Sequence, residues 1–434
     1  MAESLEAENA RLRGELQALQ ERFDALREST SERLEKLEDE NEILAEANRL
    51  LLENEAAFQQ KPKGLGVGSH NASSNGIASL LLVPDELLVS GPGLTTQEVQ
   101  VVAETHAFGN LLSVAAHAAH PELVLTGGAD KLICAHDWQQ KLKLCEFAAS
   151  APVLDLVFNP NPAHADFFVA TFMDGKHGLY RLVNGAENPE IGWQIEEIYL
   201  FHEHTRPGAM KAVWNSEGDL FATGASDKAL HVFQCAYAAG TSTTTTTTTT
   251  CEKLKSFYFN GTVEAITFVP SMLSNRLKRK QEEEEENEEL KPTQERNELL
   301  AIAVRDDCYV HYVDCTTFEK ERVNMNQDGI EHVSYTIMDL RIKSNVVLRN
   351  FYGHKAGPYS QPRAMWHSSE KYVLSNTEES GAVLVWCIAS ERVVDTISAH
   401  DALVRDFALS STIPTTLFTV SYDKLLKVWS SALN

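Results

Sequence analysis

The chain has 434 residues, more than one hydrophobic core usually fills, so at least two structural units are expected. Lysine and arginine total 38 against 62 aspartates and glutamates, a formal net charge of −24. A phosphate backbone repels such a chain, and no long basic patch intervenes, so no nucleic-acid partner is expected. The cysteines number seven, form no CxxC pair, and follow an N-terminus (MAESLEAENARLRG) without an apolar leader. They read as reduced thiols of a cytoplasmic or nuclear protein, with no disulfide framework, metal site or other cofactor. No apolar run has the length to span a bilayer.

Leu5, Leu12, Leu19 and Leu26 recur every seven residues, and Leu16 and Phe23 follow Leu12 and Leu19 by four. That places the leucines at d of a heptad, with Leu16 and Phe23 at a. The pattern resumes at Leu37, Leu44 and Leu51 after a step of eleven from Leu26. Such a step is a stutter, which locally unwinds a supercoil. Asn9, Asn41 and Asn48 also fall at a, where an amide pairs with its counterpart and fixes register in a two-stranded parallel coil. Residues 1–60 are therefore expected to form a parallel coiled coil, about 80 Å long, that makes the chain a homodimer. Pairing with another chain's helix, or a lone helix packed on the rest of the protein, are the alternatives. Residues 61–78 (KPKGLGVGSHNASSNGIA) read as a flexible linker.

Beyond it the chain repeats itself. Each unit has an apolar strand, a strand of small residues, then a third strand opening just after an Asp, with an aromatic or His six residues further on. The pairs are Asp130–His136, Asp174–Tyr180, Asp227–Phe233, Asp306–Tyr312 and Asp423–Trp429, and Ser380 stands in for the Asp ahead of Trp386. Successive units lie 44 residues (Asp130 to Asp174) and 43 residues (Ser380 to Asp423) apart. ASDKALHVF, SYDKLLKVW and GGADKLICAH, together with His106, His204, Gly353-His354 and His400, resemble the WD40-repeat family. The resemblance covers about 340 residues and implies an all-β, seven-bladed WD40-type β-propeller over residues 79–434. It also implies a hydrogen-bonded network within each blade, for which His400, Ser421, Asp423 and Trp429 supply one full set. His, Ser and Asp are also the components of a hydrolase triad, but no GxSxG-like elbow accompanies them, so no enzyme is expected.

First strands are predicted at 111–116, 152–158, 209–214, 262–268, 332–342, 363–366 and 402–408. Residues 97–103 are a spare strand that closes the ring as the outer strand of the last blade. Blade five is short: a first strand at 332–342 is followed almost at once by a last strand at 345–351. Either it is a two-stranded remnant, or the sequence lacks about one exon's worth, or the ring has six blades. Insertions at 240–250 and 271–297 are low in complexity and too polar to pack, so they are expected to be disordered. The side chains placed to meet a partner are Tyr359, Arg363, Arg405 and Arg206, of types enriched in binding hot spots. The function expected is a non-enzymatic scaffold, dimerised by its coiled coil, that binds proteins on propeller loops, with a substrate-recognition subunit of a ubiquitin ligase or of another multiprotein complex as the alternative.

Overall fold

The computed structural model describes Gln20 and residues 93–433, less Glu104 and the stretches 185–191, 238–248, 270–297, 325–350, 355–361 and 378–379. The chain divides into two units, Met1–Gly76 and Ile77–Asn434. The coiled-coil heptads, the linker, Tyr359, the predicted strand 332–342 and most of the two insertions lie outside the described residues.

The second unit is built of four-stranded antiparallel sheets in chain order. Blade one holds β2 (Leu111–Ala116), β3 (Leu123–Gly128), β4 (Leu132–Asp137) and β5 (Leu142–Ala148). Blade two holds β6 (Val153–Phe158), β7 (Phe167–Phe172), β8 (His177–Asn184) and β9 (Trp193–Phe201). Blade three holds β10 (Met210–Trp214), β11 (Leu220–Ala225), β12 (Ala229–Ala236) and β13 (Thr250–Tyr258). Blade four holds β14 (Val263–Val269), β15 (Leu299–Val304), β16 (Tyr309–Asp314) and β17 (Lys320–Asn324). Blade six holds β18 (Ala364–Trp366), β19 (Tyr372–Asn376), β20 (Ala382–Cys387) and β21 (Arg392–Ser398). Blade seven holds β22 (Val404–Leu409), β23 (Thr416–Ser421) and β24 (Leu426–Leu433), with β1 (Leu94–Val102) on its outer edge.

The expected count of seven is thereby corrected to six blades among the described residues. The fifth was to come from 332–351, nearly all of which lies outside them. Among the described residues of this unit, helix is confined to one turn at Pro162–His164.

Why the chain folds this way is visible in the burial of each strand type. Five second strands, β3, β7, β11, β15 and β23, are buried at every position. Both of their faces are covered by neighbouring blades, so small and apolar residues alternate there with nothing charged. Outer strands such as β5 and β21 are largely exposed and carry the polar residues. The apolar clusters lie between blades. Leu125 and Ile133 of blade one pack with Val153 and Leu156 of blade two, and Val428 and Val420 of blade seven pack with Val114 of blade one. Gly127 and Gly224 mark the closest approach of sheets: a Cβ there would sit 2.6 Å from Val153 Cγ1 and 2.4 Å from Val263 Cγ1 respectively.

The ring closes through β1. It pairs antiparallel with β24 from Leu94↔Leu433 to Val102↔Leu426, with one irregularity between Glu98 and Gln100. The strand that begins the ring thus completes the blade that ends it, leaving β24 with no open edge.

Candidate protein-interaction face

In blade seven, His400 Nδ1 lies 2.8 Å from Asp423 Oδ2 and its Nε2 lies 2.8 Å from Thr419 Oγ1. Trp429 Nε1 donates to the same Thr419 oxygen at 2.9 Å. Blade one repeats the set with His106, Asp130, Thr126 and His136 at 2.8–3.0 Å. Blade three repeats it with His204, Asp227 and Thr223. The hydroxyl at the centre is therefore Thr419, not the Ser421 inferred from sequence. Ser421 lies at the end of β23 and serves the turn, donating to Ala402 O and accepting from Asp423 N. Blade two lacks the histidine, and Ser150 takes its place against Asp174 at 2.9 Å. In blade four the turn carboxylate is Asp307, which accepts from Tyr309 N, rather than Asp306.

Each network ties the loop entering a blade to the turn between its second and third strands, so these loops and turns share one face of the ring. Thr419→Val should cost about 1–3 kcal/mol, because it leaves His400 and Trp429 without their buried partner. Ser421→Ala should cost less than about 1 kcal/mol. Denaturant unfolding of the two variants checks the order.

The aspartate of each turn is followed by a residue that the turn drives outward. Lys131, Lys228 and Lys424 have φ of 69°, 68° and 67°. A side chain in that left-handed region costs about 1–2 kcal/mol, and all three lysines are exposed. Arg206 on the blade-three loop is exposed as well. Between them stand two apolar side chains, Phe108 at 80% and Met173 at 48% exposure. The carboxylates of this face are largely committed. Asp130, Asp174, Asp227 and Asp423 accept from backbone N–H groups of their own turns. On the opposite face lie Glu122, Glu217, Glu319 and Glu391. Asp306, Asp307 and Asp401 share the lysine-bearing face, so it presents exposed cationic and apolar side chains among hydrogen-bonded carboxylates.

Inside this rim, first strands carry a neutral set of charges. Asp155 accepts from Lys211 Nζ at 2.6 Å and from Ala212 N at 2.9 Å, joining blades two and three. Asp406 accepts from Val114 N at 3.1 Å and lies 3.6 Å from Arg363 Nε, joining blade seven to blades one and six. Burial, then the charge of Arg363, lowers the pKa of Lys211. Burial raises that of Asp406 against the pull of Lys211 and Arg363. Residues from blades two, three, six and seven therefore act on one another around the axis.

The family model for the WD domain, G-beta repeat, matches residues 391–430. That stretch runs from the outer strand of blade six to the third strand of blade seven and contains His400, Thr419, Asp423 and Trp429. That match and the six four-stranded blades support a WD40-type β-propeller. No curated protein matches the chain. WD40 propellers mediate protein–protein contact and are typically non-enzymatic.

The WD40 ring places the residues singled out from sequence unequally. Arg206 is on the rim and exposed. Arg405 is half-buried, its guanidinium 6.0 Å from the Tyr422 ring. Arg363 is mostly internal, its side chain 12% exposed against Asp406. Phe108 and Met173 were missed, because a single apolar residue in a loop carries no periodic signal. Lys211, Asp155 and Asp406 were missed because only the fold brings positions so far apart together.

One donor set on this face has metal-like spacing: His204, Asp227 and His231 offer ligand atoms within 4.8 Å of one another. The His–Asp pair in it recurs in blades one and seven, where Cys134 and Lys427 hold the third position, so the pair belongs to the WD40 network. Among the described residues no helix is long and apolar enough to cross a membrane.

Proposed function

We propose that this propeller protein is a non-enzymatic scaffold whose rim of exposed lysines and Arg206 binds an acidic segment of a partner protein. The observation that carries this is a set of exposed side chains on one face: Lys131, Lys228, Lys424 and Arg206 project there with Phe108 and Met173, while the turn aspartates accept backbone hydrogen bonds. A partner with carboxylates flanking one apolar anchor meets both features, and complementary charge speeds its encounter. Arg405 extends the same surface and Arg363 supports its inner wall, and Tyr359, outside the described residues, is read from sequence as a further contact.

Residues 1–60 are read as a parallel coiled coil that pairs two copies, a reading supported by the d-position leucines and a-position asparagines. Two linked rims would raise avidity for a partner carrying two acidic segments. The compartment is read as cytoplasmic, supported by the reduced cysteines. Site-specific photo-crosslinking from the rim, against the opposite face as control, tests the scaffold reading.

A further inference from the structure

Blade three carries a pair of sulfurs that neither the ring nor the rim uses. Cys235 and Cys251 stand directly opposite each other on β12 and β13. Cys235 N donates to Asp219 O, on the side away from β13. The backbone groups of one strand residue point the same way, so Cys235 and Cys251 form a non-hydrogen-bonded cross-strand pair. In such a pair the Cα atoms come within about 4.5 Å and the side chains approach closely. That separation falls inside the range of about 4.4–6.8 Å a disulfide spans without moving backbone. The sulfurs are already 3.0 Å apart, with one thiol donating to the other.

We infer that Cys235 and Cys251 are an oxidation site that forms a reversible disulfide across the outer edge of blade three, with a peroxide as the oxidant. One thiol, as thiolate, attacks a peroxide oxygen, giving a sulfenic acid and releasing water once the leaving oxygen is protonated. The second sulfur then attacks the sulfenic sulfur, the S–S bond forms, and its hydroxyl leaves as a second water. Two S–H bonds and the O–O bond are broken, and one S–S bond and two O–H bonds are formed. Hydrogen bonding to Cys235 and burial both raise the pKa of the Cys251 thiol, so the thiolate is scarce at neutral pH and the first attack is slow. Cys251 is the more exposed residue of the two, at 9% against 3%, and sits one residue into the outer strand. The bridge closes the 15 residues between the two cysteines, most of them the Thr-rich insertion, into a covalent loop.

The test uses the full chain, reduced and then treated with hydrogen peroxide. Titratable thiols should fall from seven to five, and non-reducing peptide mass spectrometry should find Cys235 joined to Cys251. Dithiothreitol should restore all seven. The thermal midpoint should rise by about 5 °C on oxidation, and Cys235→Ser and Cys251→Ala should each abolish both the loss of two thiols and the rise. If all seven thiols survive, if the bond joins other cysteines, or if either variant behaves as the native chain does, the inference is overturned.

Discussion

Deletion of residues 94–102 is expected to abolish cooperative unfolding of the propeller and drive it to aggregate. β1 buries Leu94 and Val102, at 6% and 3% exposure, against blade seven. Removing both side chains forfeits roughly 3–6 kcal/mol of apolar burial. The larger consequence is topological. β24 pairs with β1 over residues 426–433, and without it presents a row of unpaired N–H and C=O groups in a sequence rich in Leu, Val and Trp. Trimming 61–90 removes none of these contacts and should leave the unfolding transition unchanged. Thermal unfolding with light scattering compares the two truncations. Equal behaviour would mean that the ring does not close through β1.

Acid should weaken the fold well before the carboxylates titrate. Burial, with the charges of His106 and Lys143, holds the pKa of His136 down to about 3. Burial, with His204, holds that of His231 down to about 4. His177 is pushed well below its ordinary value by burial among His204, His231 and the rings of Phe201 and Phe233. In the unfolded chain each takes up a proton near pH 6.5. Between that pH and its folded value, the unfolded state holds the extra proton. The stabilising preference for neutral imidazole is therefore complete above about pH 6.5 and declines as pH falls. His136 alone contributes a slope of about 1.4 kcal/mol per pH unit across pH 6 to 4. Denaturant unfolding at pH 7.0 and 4.5 should show a loss of several kcal/mol. His136→Phe should flatten the slope by about one histidine's share. A pH-independent midpoint over that range would contradict the buried, neutral assignment.

Much of the ring was legible because blade chemistry is local. Predicted first strands at 111–116 and 152–158 coincide with β2 and β6 to within one residue, since each follows a loop marked by His106 or Ser150 and begins an apolar run. The closing strand was legible by counting, because blade seven supplies only three strands of its own. The central hydroxyl was misassigned because Thr419 and Ser421 lie two apart on β23 and share a face. The recurrence of Thr four residues before the turn Asp, in Thr126–Asp130, Thr223–Asp227 and Thr419–Asp423, carried the distinction. Asp306 was chosen over Asp307 because blade four's turn is one residue longer. Ala303 pairs with Val310, whereas Gly127 pairs with Ile133. Cys235 and Cys251 gave no sequence signal, because an insertion separates two residues that the hairpin sets face to face.

The central claim, that the rim bearing Lys131, Lys228, Arg206 and Phe108 is the contact surface, is tested most directly by a photo-reactive amino acid at single positions of the full chain in cells. Position 108 is on the rim and position 140 on the opposite face, both exposed. The account predicts a crosslinked partner protein from position 108 that is lost when Lys131, Lys228 and Arg206 are changed to Glu, and none from position 140. A partner captured from position 140 alone, or a position-108 adduct indifferent to the charge reversals, would contradict it.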